Sequence, residues 1–243
     1  MRFAAKTDQV RRERNEDAFR INEKLCLTLI ADGVGGQPAG EIASKLAIEC
    51  VDAYIQTYTA ELSVLQMLHK AIMQANVRVY QKADKNRALV GMATTIVACV
   101  LTPERLFVAH VGDSRAYLIT RAELKRLTTD HSMIAALEAS GQVTPTEAKT
   151  HPYRHVLTQA LGDRTHINID LKSLSWRRGD YLLLCTDGLT DTLADDIILR
   201  VISSKGHDLY NKCTRLIECV NARGGRDNVT VILAVNDGLP CPS

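Results

Sequence analysis

The sequence lacks the long apolar runs that mark membrane proteins. Its 243 residues contain no stretch near the ~20 consecutive apolar residues that a membrane-spanning helix needs. Residues 1–6 also lack the long apolar core of a signal peptide. We therefore expect a cytoplasmic protein that has no membrane partner.

An excess of charge of one sign is missing too. The formal net charge is +2, and 24% of the residues are charged. Such a balance produces no field strong enough to attract nucleic acid or an anionic membrane as the main partner. Nucleic-acid binding is therefore not expected.

Cysteine pairs and glycine-rich nucleotide loops are absent. The seven cysteines form no Cys-x-x-Cys pair, and most lie within apolar runs, so we expect them to be reduced and buried, with Cys241 as an exposed thiol. The chain contains neither Gly-x-Gly-x-x-Gly nor a Walker pattern. These absences argue against a cysteine-based zinc site and against a common nucleotide-binding loop.

The sequence does contain apolar segments that end in Asp-Gly. Residues 25–31 lead into Asp32-Gly33, and residues 181–186 lead into Asp187-Gly188. Asp-Gly is typical of a hairpin turn, but a hairpin needs a return strand, and helix-like sequence follows both pairs. The recurrence favours two carboxylates held at the ends of strands.

Two more aspartates border apolar strand segments in the same way. Asp113 follows one such segment and Asp227 precedes another. With Asp32, Asp187 and the carbonyl group of Gly33, they form an oxygen-only set of possible ligands, which suits hard cations such as Mg²⁺ or Mn²⁺ better than zinc. The pattern predicts a metal site.

Strands and helices occur in blocks rather than in strict alternation. Periodicity predicts strands at 2–7, 18–21, 25–31, 94–101, 106–111, 116–120, 124–127, 167–174, 181–185 and 229–235, and helices at 39–58, 61–83, 132–139, 195–203 and 208–222. This order favours an α+β fold with antiparallel sheets over a doubly wound parallel sheet. No linker interrupts the chain, so we expect a single domain over residues 1–243.

Two irregular segments have alternative interpretations. Residues 8–17 are highly charged, which is typical of a solvated turn, although their arginines could also clamp an anion. Residues 131–158 combine a weak helix with three histidines and resemble a mobile excursion. His151 and His155 have the spacing of a metal pair, but Pro152 between them favours a loop.

The sequence resembles the metal-dependent serine/threonine protein phosphatases of type 2C, in their compact bacterial form. The resemblance runs through nearly the whole chain, in short motifs that occur in one order. They are Asn-Glu-Asp at 15–17, Ala-Asp-Gly-Val-Gly-Gly at 31–36, Ala-Thr-Thr at 93–95, Val-Gly-Asp-Ser-Arg at 111–115, Leu-Thr-Thr-Asp-His-Ser at 127–132, Ala-Leu-Gly at 160–162, Cys-Thr-Asp-Gly-Leu at 185–189 and Gly-Arg-Asp-Asn-Val-Thr at 225–230.

The resemblance implies a four-layer α-β-β-α sandwich, in which two central antiparallel sheets are flanked by helix pairs. It also implies hydrolysis of phosphoserine and phosphothreonine in proteins by a hydroxide that bridges two Mn²⁺ or Mg²⁺ ions, with no protein nucleophile. A monomer that reverses the action of a bacterial serine/threonine kinase is expected. The alternative is a catalytically silent relative that binds phosphoproteins, although such a module has no use for a full set of mutually repelling carboxylates.

Site residues follow from the resemblance by position. Asp32 would bridge two ions, Asp187 and Asp227 would complete the first, the carbonyl of Gly33 would serve the second, Glu16 and Asp17 would hold metal-bound waters, Asp113 with Asp187 would hold a third and weaker ion, Arg12 would bind phosphate, and residues 131–158 would form a flap beside the site.

The sequence departs from the family pattern at two places. Many relatives have histidine directly after the first Asp-Gly, where it is thought to help protonate the leaving group, and this chain has Val34. The N-terminal loop lacks a usual glycine after Asp8 and is one residue shorter. Arg12 has the best spacing for the phosphate, with Arg11 and Arg14 as competitors.

Overall fold

Two antiparallel sheets form the centre of the molecule. The computed structural model describes residues 1–34, 39–57, 62–121 and 123–239. The first sheet has five strands in the order β1-β11-β10-β7-β8. These strands are β1 (Arg2–Asp8), β7 (Arg115–Ile119), β8 (Leu124–Arg126), β10 (Tyr181–Cys185) and β11 (Val229–Val235).

The second sheet has the strand order β2-β3-β5-β6-β9, and the short strand β4 pairs with the end of β3. Its strands are β2 (Asp17–Asn22), β3 (Leu27–Val34), β4 (Ala93–Thr94), β5 (Ile96–Leu101), β6 (Arg105–Val111) and β9 (Asp170–Ser175). In both sheets each pair of neighbouring strands is antiparallel.

Helices cover the outer faces of the two sheets. The helices are α1 (Ala39–Gln56), α2 (Val64–Lys85), α3 (Met133–Ala139), α4 (Pro145–Ala148), α5 (Asp187–Thr190), α6 (Asp195–Ser203) and α7 (Leu209–Ala222). α1 and α2 pack on each other and on the six-stranded sheet, whereas α7 packs on β1, β11 and α6. The four-layer α-β-β-α sandwich with two antiparallel sheets is therefore confirmed.

Three buried clusters fill the spaces between the four layers. Along β3, Leu27 and Leu29 contact the helices α1 and α2, while Ile30 points into the space between the sheets. Along β11, Val231 and Leu233 face α7. This alternation arises because successive side chains of a strand point to opposite faces. Burial of each large aliphatic side chain contributes roughly 1.5–3 kcal/mol, which makes these alternating strands the main source of stability.

Several boundaries differ from the prediction. The strand predicted at 94–101 is divided at Thr95, because the Thr95 N–H donates to the carbonyl of Asp32 at 2.9 Å and the Thr95 hydroxyl accepts from the Asp32 N–H at 2.9 Å. The predicted strand at 167–174 begins only at Asp170. Within 131–158, α4 was not predicted; it begins with a capping box in which Thr144 and Glu147 bond each other's backbone.

Cysteine oxidation also differs from the prediction at one position. Cys50, Cys99, Cys185, Cys213 and Cys219 are free, as expected. Cys26 is disulfide-bonded, so the expectation of a fully reduced set is wrong there. Cys241 lies outside the described residues, as do Gly35 and Gly36 of the first Asp-Gly motif.

Among the described residues, no helix combines the length and the apolar character that crossing a membrane requires.

Candidate active site

Asp17 and Asp32 are direct neighbours on paired strands. They lie opposite each other in the register of β2 and β3. One carboxylate oxygen of Asp17, Oδ2, accepts hydrogen bonds from the hydroxyl groups of Thr186 at 3.0 Å and Thr230 at 2.6 Å. Both threonines belong to the other sheet's side of the molecule, so Asp17 joins the two sheets at this end. Its second oxygen, Oδ1, is buried and has no partner among the described residues.

Asp187 enters the same region from the end of β10. It is the first residue of α5, which directly follows Thr186. The next residue must be glycine, because a Cβ atom on Gly188 would lie 2.0 Å from the carbonyl oxygen of Asn228. The Oδ1 atom of Asp187 is buried and lacks a partner within the described part of the chain.

Asp227 forms an ion pair with Arg12, the predicted phosphate-binding residue. The guanidinium of Arg12 donates to Asp227 Oδ2 at 2.7 Å, and both side chains are about half exposed. The adjacent Asn228 holds the N-terminal loop: its Oδ1 accepts from the Glu16 N–H at 2.9 Å, and its Nδ2 donates to the carbonyl groups of Gln9 and Arg14. Arg12 is thus fixed beside the aspartates.

Gly33 lies where β3 meets α1 at very short range. A Cβ atom there would be 2.2 Å from the carbonyl oxygen of Gly40. The Gly33 N–H donates to the carbonyl of Glu16 at 3.2 Å, and the Glu16 carboxylate lies beside Gly40. The backbone of Gly33 and the side chain of Glu16 are therefore held at the same end of the sheets.

Burial and mutual repulsion raise the pKa values of five carboxyl groups, those of Glu16, Asp17, Asp32, Asp113 and Asp187. For Asp32 and Asp187, burial is the largest cause, followed by neighbouring aspartates, and both pKa values lie well above the ordinary range. Burial also raises the pKa of Asp17 to about 7 and that of Asp113 to about 7. Burial is again the main cause of the raised pKa of Glu16. A bound cation would relieve this repulsion.

The donor set fits divalent cations. The carboxylates are oxygen donors, and two of their buried oxygens, on Asp17 and Asp187, are unpartnered among the described residues. Buried polar atoms normally have partners, so these two indicate a site built to receive a ligand. Oxygen-only sites suit Mg²⁺ and Mn²⁺.

The structure adds Asp191 and His155 to the predicted residues. Ligand atoms of His155, Asp187 and Asp191 all lie within 4.8 Å of one another. Among the described residues, Asp32, Asp187 and Asp227 do not form so close a group. A close group is not required for a cation that keeps several of its waters. Sequence reasoning missed Asp191, although its position four residues after Asp187 on helix-like sequence was a usable signal.

In a second close group, His110, His131 and Asp170, one nitrogen of each histidine contacts the backbone, and Nε2 of His131 lies 3.4 Å from a carboxylate oxygen of Asp170. Gly112 supplies both backbone contacts: its carbonyl lies 2.8 Å from Nε2 of His110, and its N–H donates to Nδ1 of His131 at 3.2 Å. These bonds hold both imidazole rings against the backbone. Nδ1 of His110 is buried and has no hydrogen-bond partner among the described residues. We interpret this group as a structural contact at the start of the flap.

Residues 131–158, the predicted flap, are closed at their base. The N–H of His131 donates to the carbonyl of Gly112, and the N–H of Thr158 donates to the carbonyl of His131, both at 2.8 Å. Near the end of the flap, Nδ1 of His155 lies 3.5 Å from a carboxylate oxygen of Asp191. His151 instead accepts from the N–H of Tyr153, so the two histidines do not form a metal pair. The loop interpretation agrees with this geometry.

Comparison with known proteins shows extensive similarity. The family model described as Protein phosphatase 2C matches residues 6–234. The chain is 35% identical over 240 residues to the serine/threonine phosphatase stp of Listeria monocytogenes. The aligned region covers 96% of this chain and 94% of that protein.

Solved structures agree. The serine/threonine phosphatase PstP/Ppp of Mycobacterium tuberculosis is 34% identical, with a TM-score of 0.88 over 96% of this chain and 97% of that chain. A structure of the catalytic domain of PstP in complex with two manganese ions is 33% identical, with a TM-score of 0.86 over 96% of this chain and 97% of that chain.

Proposed function

Because this chain belongs to the protein phosphatase 2C family and is a serine/threonine protein phosphatase that uses divalent metal ions, we propose that its aspartates form the metal site. Asp32, Asp187 and Asp227 would hold the first ion, and Asp32 with the carbonyl of Gly33 would hold the second. The observation that carries this proposal is the pair of buried, unpartnered oxygens on Asp17 and Asp187 among carboxyl groups whose pKa values are raised.

Mn²⁺ and Mg²⁺ are the proposed ions. When bound, they supply an activated water molecule and neutralise charge on the phosphoryl oxygens. Glu16 and Asp17 would hold metal-bound waters, and the hydroxyl groups of Thr186 and Thr230 orient Asp17 for that task. Asp113 and Asp187 would hold a third, weaker ion, since the carboxylate of Asp113 contributes to the raised pKa of Asp187. Asp191 supports this third position.

Arg12 is proposed to bind the phosphate of the substrate. Its guanidinium can donate two parallel hydrogen bonds to phosphoryl oxygens, and its contact with Asp227 holds it at the edge of the site. Val34, which is 39% exposed at the end of β3, cannot give a proton to the leaving oxygen. The proton for the leaving serine or threonine must come from another group of the site.

The proposed setting is a bacterial cytoplasm, in which a monomer of this protein opposes a serine/threonine kinase. The bacterial relatives named as serine/threonine phosphatases support this proposal. A single domain over residues 1–243 is also proposed. In its support, β1 and β11 lie side by side in one sheet, although their paired residues are between 221 (Asp8 with Val229) and 233 (Arg2 with Val235) positions apart in the sequence.

The test measures phosphate release from a phosphothreonine peptide with Mn²⁺, with Mg²⁺ and with excess EDTA. We expect turnover only with metal, and we expect Asp32→Asn to lower kcat by about a thousandfold, because it removes charge from the bridging ligand. Asp196→Asn is the matched control, since Asp196 is exposed and pairs with Arg200 on α6.

Metal content should be measured on the same samples. Asp32→Asn with wild-type turnover would overturn the site assignment. Folded, metal-loaded wild type that releases no phosphate from any phosphopeptide would instead support the silent phosphoprotein-binding alternative.

A further inference from the structure

Two surface loops beside the candidate site concentrate positive charge. Residues 9–15 and 223–226 contain five arginines and a single carboxylate, Glu13. The whole chain has only two more basic than acidic residues, so the remainder carries more carboxylates than basic groups. The charge of the protein is therefore distributed unevenly, with its positive part at these loops.

The two loops form one continuous surface. A Cβ atom on Gly224 would lie 3.8 Å from a guanidinium nitrogen of Arg11, and one on Gly225 would lie 3.4 Å from the side chain of Val10. Asn228 binds the carbonyl of Arg14 at 2.9 Å, and Arg12 binds Asp227 between the loops. The arginines of both loops therefore lie on one surface beside the candidate site.

Four of these arginines are exposed and form no salt bridge with any carboxylate of the described chain; Arg223 donates to the carbonyl of Cys219, and the other three have no such backbone partner among the described residues. These three are Arg11, Arg14 and Arg226, and we call them the arginine rim. The nearby carboxylates are engaged elsewhere: Asp227 pairs with Arg12, and Glu41 pairs with Lys45. Glu16 is partly buried toward Gly40, and Glu13 is exposed within the loop itself.

We propose that the arginine rim binds acidic side chains that flank the phosphorylated residue, so that the enzyme prefers phosphopeptides rich in Asp and Glu. This inference rests on the proposed function. Arg12 takes the phosphate, and the rim on both sides of it meets the carboxylates of the neighbouring residues. Arginine suits this task because its planar guanidinium matches the geometry of a carboxylate, and a concentrated positive surface accelerates encounter with an acidic partner.

The experiment compares two phosphothreonine peptides that differ only in their flanks, one with three acidic residues on each side and one with serine at the same positions. The readout is the ratio of kcat/KM for the acidic peptide to kcat/KM for the serine peptide. We expect wild type to prefer the acidic peptide by about tenfold at low salt, because exposed ion pairs are individually weak and three of them act together. Added salt should reduce the ratio.

The triple variant R11Q/R14Q/R226Q should bring the ratio close to one. The matched control is R2Q/R177Q/R178Q, which removes the same charge. Arg2 is the first residue of β1, and Arg177 and Arg178 precede β10, so all three lie at the opposite end of these strands from the site. The control should keep the wild-type ratio. Circular dichroism of both variants shows whether they are folded.

The outcomes separate the two proposals. A wild-type ratio of one, or an unchanged ratio in the folded rim variant, would overturn the role of the rim while leaving the phosphatase site intact. Absence of metal-dependent turnover of both peptides and of a small aryl phosphate would instead mean that the proposed catalytic site is wrong. Equal loss of the ratio in the control would show a general effect of net charge and would also overturn the rim.

Discussion

Asp17 shows how a single residue links the site to stability. Its side chain is 6% exposed, and burial is the main reason that its pKa is raised to about 7. Two hydroxyl donors oppose this shift, but the negative neighbours Asp227 and Glu16 add to it. In the absence of metal, a charged Asp17 is therefore unfavourable in the folded state.

This carboxyl group predicts a pH dependence of the metal-free protein. The folded-state pKa lies above the ordinary value of about 4, so the folded state holds the proton more tightly than the unfolded state. The resulting stabilisation is complete below pH ~4 and is lost as the pH rises through about 7. Between pH 5 and pH 8 in EDTA, we expect Asp17 to lower the free energy of unfolding by ~3 kcal/mol, measured by urea unfolding.

Asp17→Asn provides the comparison, because an amide oxygen can still accept from Thr186 and Thr230 but cannot titrate. Its stability should fall less over the same pH range. An Asp163→Asn control, at an exposed position, should retain the wild-type slope. Identical slopes in wild type and Asp17→Asn would contradict the prediction.

Arg12 provides a second prediction at the scale of a residue. Arg12→Ala should raise KM for a phosphopeptide about tenfold or more, with a smaller change in kcat, because charge-assisted hydrogen bonds to the phosphate contribute to binding. Steady-state kinetics with saturating Mn²⁺ measures both constants. Arg12→Lys keeps the charge but loses the planar guanidinium, so its KM should lie between that of wild type and that of Arg12→Ala. Wild-type kinetics in Arg12→Ala would move the phosphate contact to Arg11 or Arg14.

At the scale of elements, α5 depends on its close approach to the loop before β11. Gly188→Ala would place a methyl group against the carbonyl of Asn228, where an ideal Cβ lies at only 2.0 Å. Asn228 in turn holds the N-terminal loop. We expect Gly188→Ala to lower the free energy of unfolding by about 3 kcal/mol and to reduce activity, as measured by urea unfolding and phosphate release.

Gly141→Ala separates crowding from backbone conformation. Gly141 has a φ of +72°, and nothing lies within 4 Å of its ideal Cβ. Its replacement should cost only the backbone preference, about 1 kcal/mol. Equal destabilisation by the two substitutions would argue against a close contact at Gly188.

The sequence predicted some elements better than others. β11 and α6 were predicted with their observed bounds, because β11 is a continuous apolar run and α6 has a clear helical pattern of apolar residues. α4 and α5, of four residues each, were not predicted, since one helical turn gives no periodicity. The division of the predicted strand at Thr95 arises from bonds to Asp32, 63 residues away, which no local pattern records.

At the scale of the molecule, the fold class followed from the order of strands and helices, and the resemblance supplied the four layers. The aspartates were predictable because each interrupts or borders an apolar run. Thr186, Thr230 and Asn228 were not assigned roles, because hydroxyl and amide side chains are common near strand ends and their partners are distant in sequence. Asp191 was missed although its spacing from Asp187 was a usable signal, and the structure places it beside His155.

β11 is an interior strand of the five-stranded sheet, and the ribosome makes it after the other four strands of that sheet. β11 pairs with β1 on one side and β10 on the other, and Asp227 immediately precedes it. A nascent chain whose residues 229–235 are still inside the ribosome therefore lacks the strand that joins β1 to β10, and its acidic site has not assembled. Such a chain should be unable to remove phosphate from any protein, so each new molecule becomes active in one step, once β11 has joined the sheet, rather than gradually.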